Sequence, residues 1–239
     1  MGERTRHTPD QQGDAGDPHG GQPVRVMGTP LSDARVAVVM LHGRGASAES
    51  ILTLAPLLAM DGVAFLAPQA AGGTWYPSGF MASIAANEPG MTSGMRAVTR
   101  VLHQLAAVRI SPERTILLGF SQGGCLVAEY AARHAQRYGG VASLSGGLIG
   151  PDGTPRDYAG TLDGTPVFLG CSDVDGHIPA RRVRESAEVL RRLGGEVTMR
   201  LYPAMGHLIN DDEIATVRAM ICAAADGVLR VESPTRESA

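Results

Sequence analysis

Along most of this chain, short apolar runs rich in β-branched residues alternate with longer segments whose apolar residues recur at helical spacing. A sheet strand crossed over to a parallel neighbour through a helix produces that alternation, and few other architectures do. The pattern predicts an α/β fold with a mainly parallel central sheet and helices on both faces. Arg35–Leu41 reads as the first core strand, and Ser47 as the N-cap of a helix running to about Met60. Val63–Ala67 is the second strand, stopped at Pro68. Met95, Val98, Leu102 and Leu105 then mark one face of a helix that ends near Val108. Strands at Thr115–Gly119, Val141–Leu144, Pro166–Gly170 and Glu196–Tyr202 follow, with helices over Gln122–Tyr138, Pro179–Leu193 and Asp211–Val228.

Gln69–Gly90 departs from the pattern. It holds Trp75, Tyr76, Phe80, two prolines and no sustained period, in a chain with only 4% aromatic residues. So long an excursion in a small domain is usually functional or disordered, and its aromatics argue against disorder. Trp75, Tyr76, Phe80 and Met81 are therefore expected to wall a substrate pocket, with ordinary core packing as the alternative.

The 239 residues are 44% apolar, enough for one substantial core, and one domain is expected over residues 24–230. Residues 1–23 and 231–239 hold too few apolar groups to offset the entropy of ordering, so both are expected to be mobile tails. A net charge of −3 with scattered Lys and Arg argues against a nucleic-acid partner. No apolar run approaches the roughly 20 residues of a membrane span. The N-terminal segment has no apolar core of a secretory signal, which points to the cytoplasm. Cys125, Cys171 and Cys222 show no metal-ligand or disulfide spacing and read as reduced core residues.

Gly119-Phe120-Ser121-Gln122-Gly123 spells the G-x-S-x-G turn in which a serine is lifted above a sheet between strand and helix. Here it falls between a predicted strand and a predicted helix, which is most of its significance. A serine hydroxyl is a weak nucleophile and needs a base, and the base needs an orienting carboxylate. Asp175 follows the strand Pro166–Gly170, and His207 follows the strand Glu196–Tyr202, so both arrive at carboxyl strand ends, where open α/β sheets put their sites. Asp173 competes with Asp175, and spacing leaves the choice open. His177 competes with His207, but so near the acid it would have to fold back to reach the serine. His7, His19, His103 and His134 are not at strand ends and read as surface or structural residues. The backbone N–H of Gln122 and that of Arg44, in the turn His42-Gly43-Arg44-Gly45, occupy the places of oxyanion donors.

Leu41-His42-Gly43-Arg44-Gly45, Gly119-Phe120-Ser121-Gln122-Gly123-Gly124, Asp175 ahead of Ile178-Pro179, and Gly206-His207 together resemble the phospholipase/carboxylesterase family of small α/β-hydrolases. The resemblance runs from about Val36 to Val228. It implies a Ser121–His207–Asp175 triad, because the family's aspartate lies four residues before the proline, which selects Asp175 over Asp173. It also implies a lid-poor esterase or thioesterase without metal or cofactor, often a homodimer. Trp75-Tyr76-Pro77 stands where acyl-protein thioesterases carry Trp-Phe-Asp. The chain is thus more similar to bacterial carboxylesterases, some associated with quinone-stress operons, and protein depalmitoylation is not expected.

The function implied is that of a serine carboxylesterase for small to medium acyl chains, acting through an acyl-enzyme on a small-molecule ester or thioester. Its rate should fall on acidification through the histidine range, about 6.5. Two other classes would keep the same residues: a peptidase or C–C bond hydrolase, separable by a substrate panel, and a non-catalytic binding protein, which usually loses a triad residue or an oxyanion glycine.

Overall fold

The computed structural model describes residues 16–231, and the sheet expected from the sequence is its centre. Seven strands pair in the order β1-β3-β2-β4-β5-β6-β7. They are β1 (Val24–Gly28), β2 (Val36–Leu41), β3 (Val63–Pro68), β4 (Thr115–Phe120), β5 (Gly140–Leu144), β6 (Pro166–Ser172) and β7 (Glu196–Tyr202). All neighbours run parallel except β1, which lies antiparallel on β3 with Val26 opposite Leu66. β1 is absent from the sequence reading because Val24–Gly28 is short, polar at Arg25, and mostly exposed at the sheet edge.

All six residues of β2 are buried, and alternate positions serve opposite cores. Ala37, Val39 and Leu41 face one cluster, with α3 (Gly90–Ala107), α4 (Gln122–Arg133) and α5 (Ala180–Arg192). Val36, Val38 and Met40 face the other, with α1 (Ala48–Leu52), α2 (Ala55–Leu58) and α6 (Asp211–Val231). The single helix expected from Ser47 to Met60 is two short ones. Ser47 does cap the first, but Pro56 at the start of the second cannot donate to the preceding turn.

Two further expectations are corrected. Residues 16–23 are not a tail: Asp17 pairs with Arg100 at 2.8 Å and bonds Ser93, and His19 is buried beneath Trp75. Polar anchors, not apolar area, order this stretch, so hydrophobicity failed to reveal it. Residues 1–15 and 232–239 lie outside the described residues. Cys125 and Cys171 are buried thiols, whereas Cys222 is exposed on α6, its sulfur 3.3 Å from that of Met60.

The chain leaves β2 for β3 on one side and returns to β4 on the other. The strand order therefore reverses between β2 and β4, and a crevice opens beyond their carboxyl ends. Leu41-His42 and Phe120-Ser121 are the residues at that point.

Candidate active site

Ser121 stands on the turn joining β4 to α4, with φ 56° and ψ −119°, a conformation that costs a non-glycine residue of order 1–3 kcal/mol. Its surroundings hold it there. The Ser121 N–H donates to Leu144 O at 2.9 Å, and Ser121 O accepts the N–H of Cys125 at 2.9 Å. A Cβ on Gly119 would sit 2.2 Å from Gly123 O, and one on Gly123 would sit 2.2 Å from Leu41 O, so strand, turn and helix can approach this closely only at glycines.

From this turn the hydroxyl of Ser121 donates to His207 Nε2 at 2.8 Å, and His207 Nδ1–H donates to Asp175 Oδ2 at 2.7 Å. The other oxygen of Asp175 accepts the N–H groups of His177 and Ile178 at 2.8 and 3.0 Å. Burial opposes the charge of Asp175, but the bonds from His207, His177 and Ile178 outweigh it and hold the carboxyl below its usual range. Asp173 is used otherwise: it accepts Ala204 N–H at 2.9 Å and ties down the turn that carries His207. The His177 ring meets His207 edge-on at 4.7 Å and does not reach the serine's partner position. The structure thus brings Ser121, His207 and Asp175 into one hydrogen-bonded line.

The N–H of Gln122 belongs to the first turn of α4, and that of Arg44 to the glycine-flanked turn after β2. Neither donates to a protein acceptor among the described residues. First-turn N–H groups have no partner within their helix and carry its positive end. Arg44 and Ser121 together line two clefts. One, of 350 Å³, is bounded by Tyr76, Phe80, Cys125, His177 and Ile178. The other, of 370 Å³, lies against Ile51, Leu54, Phe120 and Ile209. A larger hollow of 490 Å³ opens at the amino ends of the strands by Arg114 and Arg137, remote from this chemistry.

Two of the four expected pocket walls are corrected. Trp75 is fully buried and lines neither cleft: its Nε1–H donates to His42 O at 2.8 Å, and its ring lies between His42 and His19. Met81 is half-buried and lines neither. Tyr76 and Phe80 line the first cleft, Tyr76 as a core residue with 1% exposure and Phe80 partly buried. Phe80 is seated by Gly150, whose N–H donates to Phe80 O at 2.7 Å, and by the buried Arg182 guanidinium 5.8 Å from its ring. The sequence reading missed Cys125 and Ile178 as lining, although Cys125 lies one helical turn beyond Ser121 and Ile178 beside the aspartate. Burial pushes the Cys125 thiol up to about 12, so it is wall and not nucleophile.

A mainly parallel sheet with a serine turn at its reversal point, an aspartate and a histidine beyond the ends of its last two strands, and helices on both faces defines an α/β-hydrolase. Residues 25–224 match the phospholipase/carboxylesterase family, and the chain belongs to that family. It is similar to a crystal structure of a phospholipase/carboxylesterase from Dyadobacter fermentans, with 39% identity, a TM-score of 0.81, and coverage of 84% of this chain and 97% of that one. It is 32% identical to acyl-protein thioesterase 1 of Gibberella zeae over 54% of this chain, a match that spans only 58% of that relative's length. Acyl-protein thioesterase 1 of Saccharomyces cerevisiae is 24% identical over 80% of this chain and 93% of its own.

Proposed function

We propose that this chain is a serine carboxylesterase of the cytoplasm, hydrolysing carboxylic esters, and thioesters by the same steps, through an acyl-enzyme. The carrying observation is the line Ser121 Oγ–H to His207 Nε2, and His207 Nδ1–H to Asp175, at 2.8 and 2.7 Å. Ser121 attacks the ester carbonyl while His207 takes its proton, and Asp175 keeps the acceptor nitrogen turned to the serine and stabilises the imidazolium. The N–H groups of Arg44 and Gln122 receive the oxyanion of the tetrahedral intermediate. His207 then returns the proton to the departing alcohol or thiol, and water repeats the cycle to release the acid. Two clefts meeting at Ser121 fit the two sides of an ester. Their sizes, 350 and 370 Å³, are at the lower end for ligand pockets and suit small to medium chains. Unpaired Cys125 and Cys171 accord with a reducing compartment.

Hydrolysis of p-nitrophenyl esters from acetate to decanoate, with fluorophosphonate labelling, tests the reading. Wild-type turnover should peak within the series, and Ser121→Ala should lose both labelling and about 10⁴-fold or more of kcat. A folded wild-type protein that neither turns over these esters nor takes the label would refute it.

A further inference from the structure

The Arg44 and Gln122 peptides belong to elements far apart in the chain, one on the turn after β2 and one opening α4, yet an oxyanion needs both N–H groups at one point. Their side chains meet on a single acceptor. Arg44 Nη2 donates to Tyr76 O at 3.0 Å, and Gln122 Nε2 donates to the same oxygen at 2.8 Å. Arg44 Nη1 also donates to Pro77 O at 2.9 Å, and Nη2 to Ser78 O. Gln122 Oε1 accepts Trp75 N–H at 2.9 Å. The amide orientation follows from its partners, because a peptide N–H can only face the oxygen and a carbonyl only the nitrogen.

The segment they grip is fixed independently. Trp75 Nε1–H donates to His42 O at 2.8 Å, and Gly45 N–H donates to Gly73 O at 2.8 Å. Each bond joins the turn after β2 to residues 73–75. A strut thus runs from one oxyanion peptide, through residues 73–78, to the other.

Resting on the serine-esterase reading, we propose that the Arg44 and Gln122 side chains are positioning residues, which set the gap between the two oxyanion N–H groups through the shared carbonyl of Tyr76. The residue types fit the task. A planar guanidinium presents a fixed fork of donors to three successive carbonyls, and a primary amide accepts from Trp75 while donating to Tyr76. A strut that merely walled the cleft would matter for ground-state binding. One that spaces the donors matters for the transition state.

The test measures kcat and KM for p-nitrophenyl butyrate in Arg44→Lys, Arg44→Met, Gln122→Glu, Gln122→Met and the Arg44→Met/Gln122→Met pair. Active sites are counted with a fluorophosphonate, and affinity is measured for an alkyl trifluoromethyl ketone, whose serine adduct places an alkoxide between the donors. All variants keep both backbone N–H groups. Trp75 emission and the melting midpoint verify folding, and Arg44→Lys and Gln122→Glu carry the test if the methionine variants do not fold. Asn87→Ala is the comparison: Asn87 holds the same segment at Ser78 N–H and Gly79 O, 2.9 and 3.0 Å away, but touches neither oxyanion residue.

The proposal expects kcat per active site to fall about 10- to 100-fold in each positioning variant, with KM within about threefold and ketone affinity falling in step with kcat/KM. It expects the paired variant to lose no more than about the worse single, since both act through one carbonyl. Asn87→Ala should change KM more than kcat. A loss carried by KM with ketone affinity intact, a paired loss equal to the product of the singles, or kcat changes below twofold would overturn it. Failure of the esterase reading would show differently, as wild-type ester turnover that survives Ser121→Ala, and the proposal would fall with it.

Discussion

Glu213 is a carboxylic acid with little to balance its charge. Its Oε2 accepts Asn210 N–H at 3.0 Å while Asn210 Oδ1 accepts Glu213 N–H at 2.8 Å, a reciprocal cap on α6. Its Oε1 is buried without a partner, against Gly170. Burial pushes its pKa up to about 7, with the charge of Asp212 adding to the effect. The folded protein therefore holds this proton more tightly than the unfolded chain. Stability from this group is complete below about pH 4.5 and declines as pH rises to about 7. Glu213→Gln keeps the acceptor for Asn210 and removes the titration. Urea unfolding should show its stability relative to wild type improving by about 1–3 kcal/mol between pH 5 and pH 8, and a difference independent of pH would refute the assignment. Asp175, held low, acts in the opposite sense below about pH 4 and is common to both proteins. At the turn itself, Gly123→Ala would drive a Cβ into the backbone oxygens of Leu41 and His42, neither of which can swing away. It should cost about 3 kcal/mol or more, visible in the melting midpoint or in failure to fold.

Two imidazoles help to hold residues 70–75. His42 Nε2 accepts Ala70 N–H at 3.1 Å while its Nδ1–H donates to Gly43 O at 2.8 Å. His19 Nδ1 accepts Ala71 N–H at 3.0 Å while its Nε2–H donates to Trp75 O at 3.0 Å. Each ring must be neutral to do both, and burial holds both pKa values below the ordinary histidine range. Their contribution is complete above the unfolded histidine value, about 6.5, and is lost as pH falls below it through the lowered folded values. Trp75, the only tryptophan in the chain, lies between the two rings and reports on them. Its emission should shift to the red on acidification below the ordinary histidine value, about 6.5, while far-UV circular dichroism still reads native. Emission that stays constant until global unfolding would exclude this. A red shift at native circular dichroism would assign part of any acid loss of activity to this segment.

The whole molecule is closed at one side by residues 16–23, which lie over α3. Arg100 bonds both Asp17 Oδ2, at 2.8 Å, and His19 O, at 3.1 Å, and His19 N–H donates to Ser93 Oγ at 2.9 Å. Deleting residues 1–23 exposes Ser93 and the underside of Trp75. It should lower stability by about 2 kcal/mol, or ~4–8 °C in Tm by scanning fluorimetry, and an unchanged Tm would show the segment to be dispensable. Apolar periodicity was enough to identify six of the seven strands and the helical crossovers, because burial on one or both faces is written directly in residue spacing, and the G-x-S-x-G motif between two of those elements marked the serine turn. Chain order alone placed Ser121, Asp175 and His207 at carboxyl strand ends. It could not choose between Asp173 and Asp175 by spacing, since two carboxylates two residues apart differ only in which loop peptide each one meets. Nor could it separate Tyr76 and Phe80, which line the first cleft, from Trp75, which lies wholly within the core, because an aperiodic segment carries no signal of side-chain direction. The order of residues 16–23 and the shared carbonyl of Tyr76 depend on polar contacts between segments far apart in sequence. Such contacts require directions and distances that only the assembled chain supplies, whereas hydrophobic burial requires no more than a pattern.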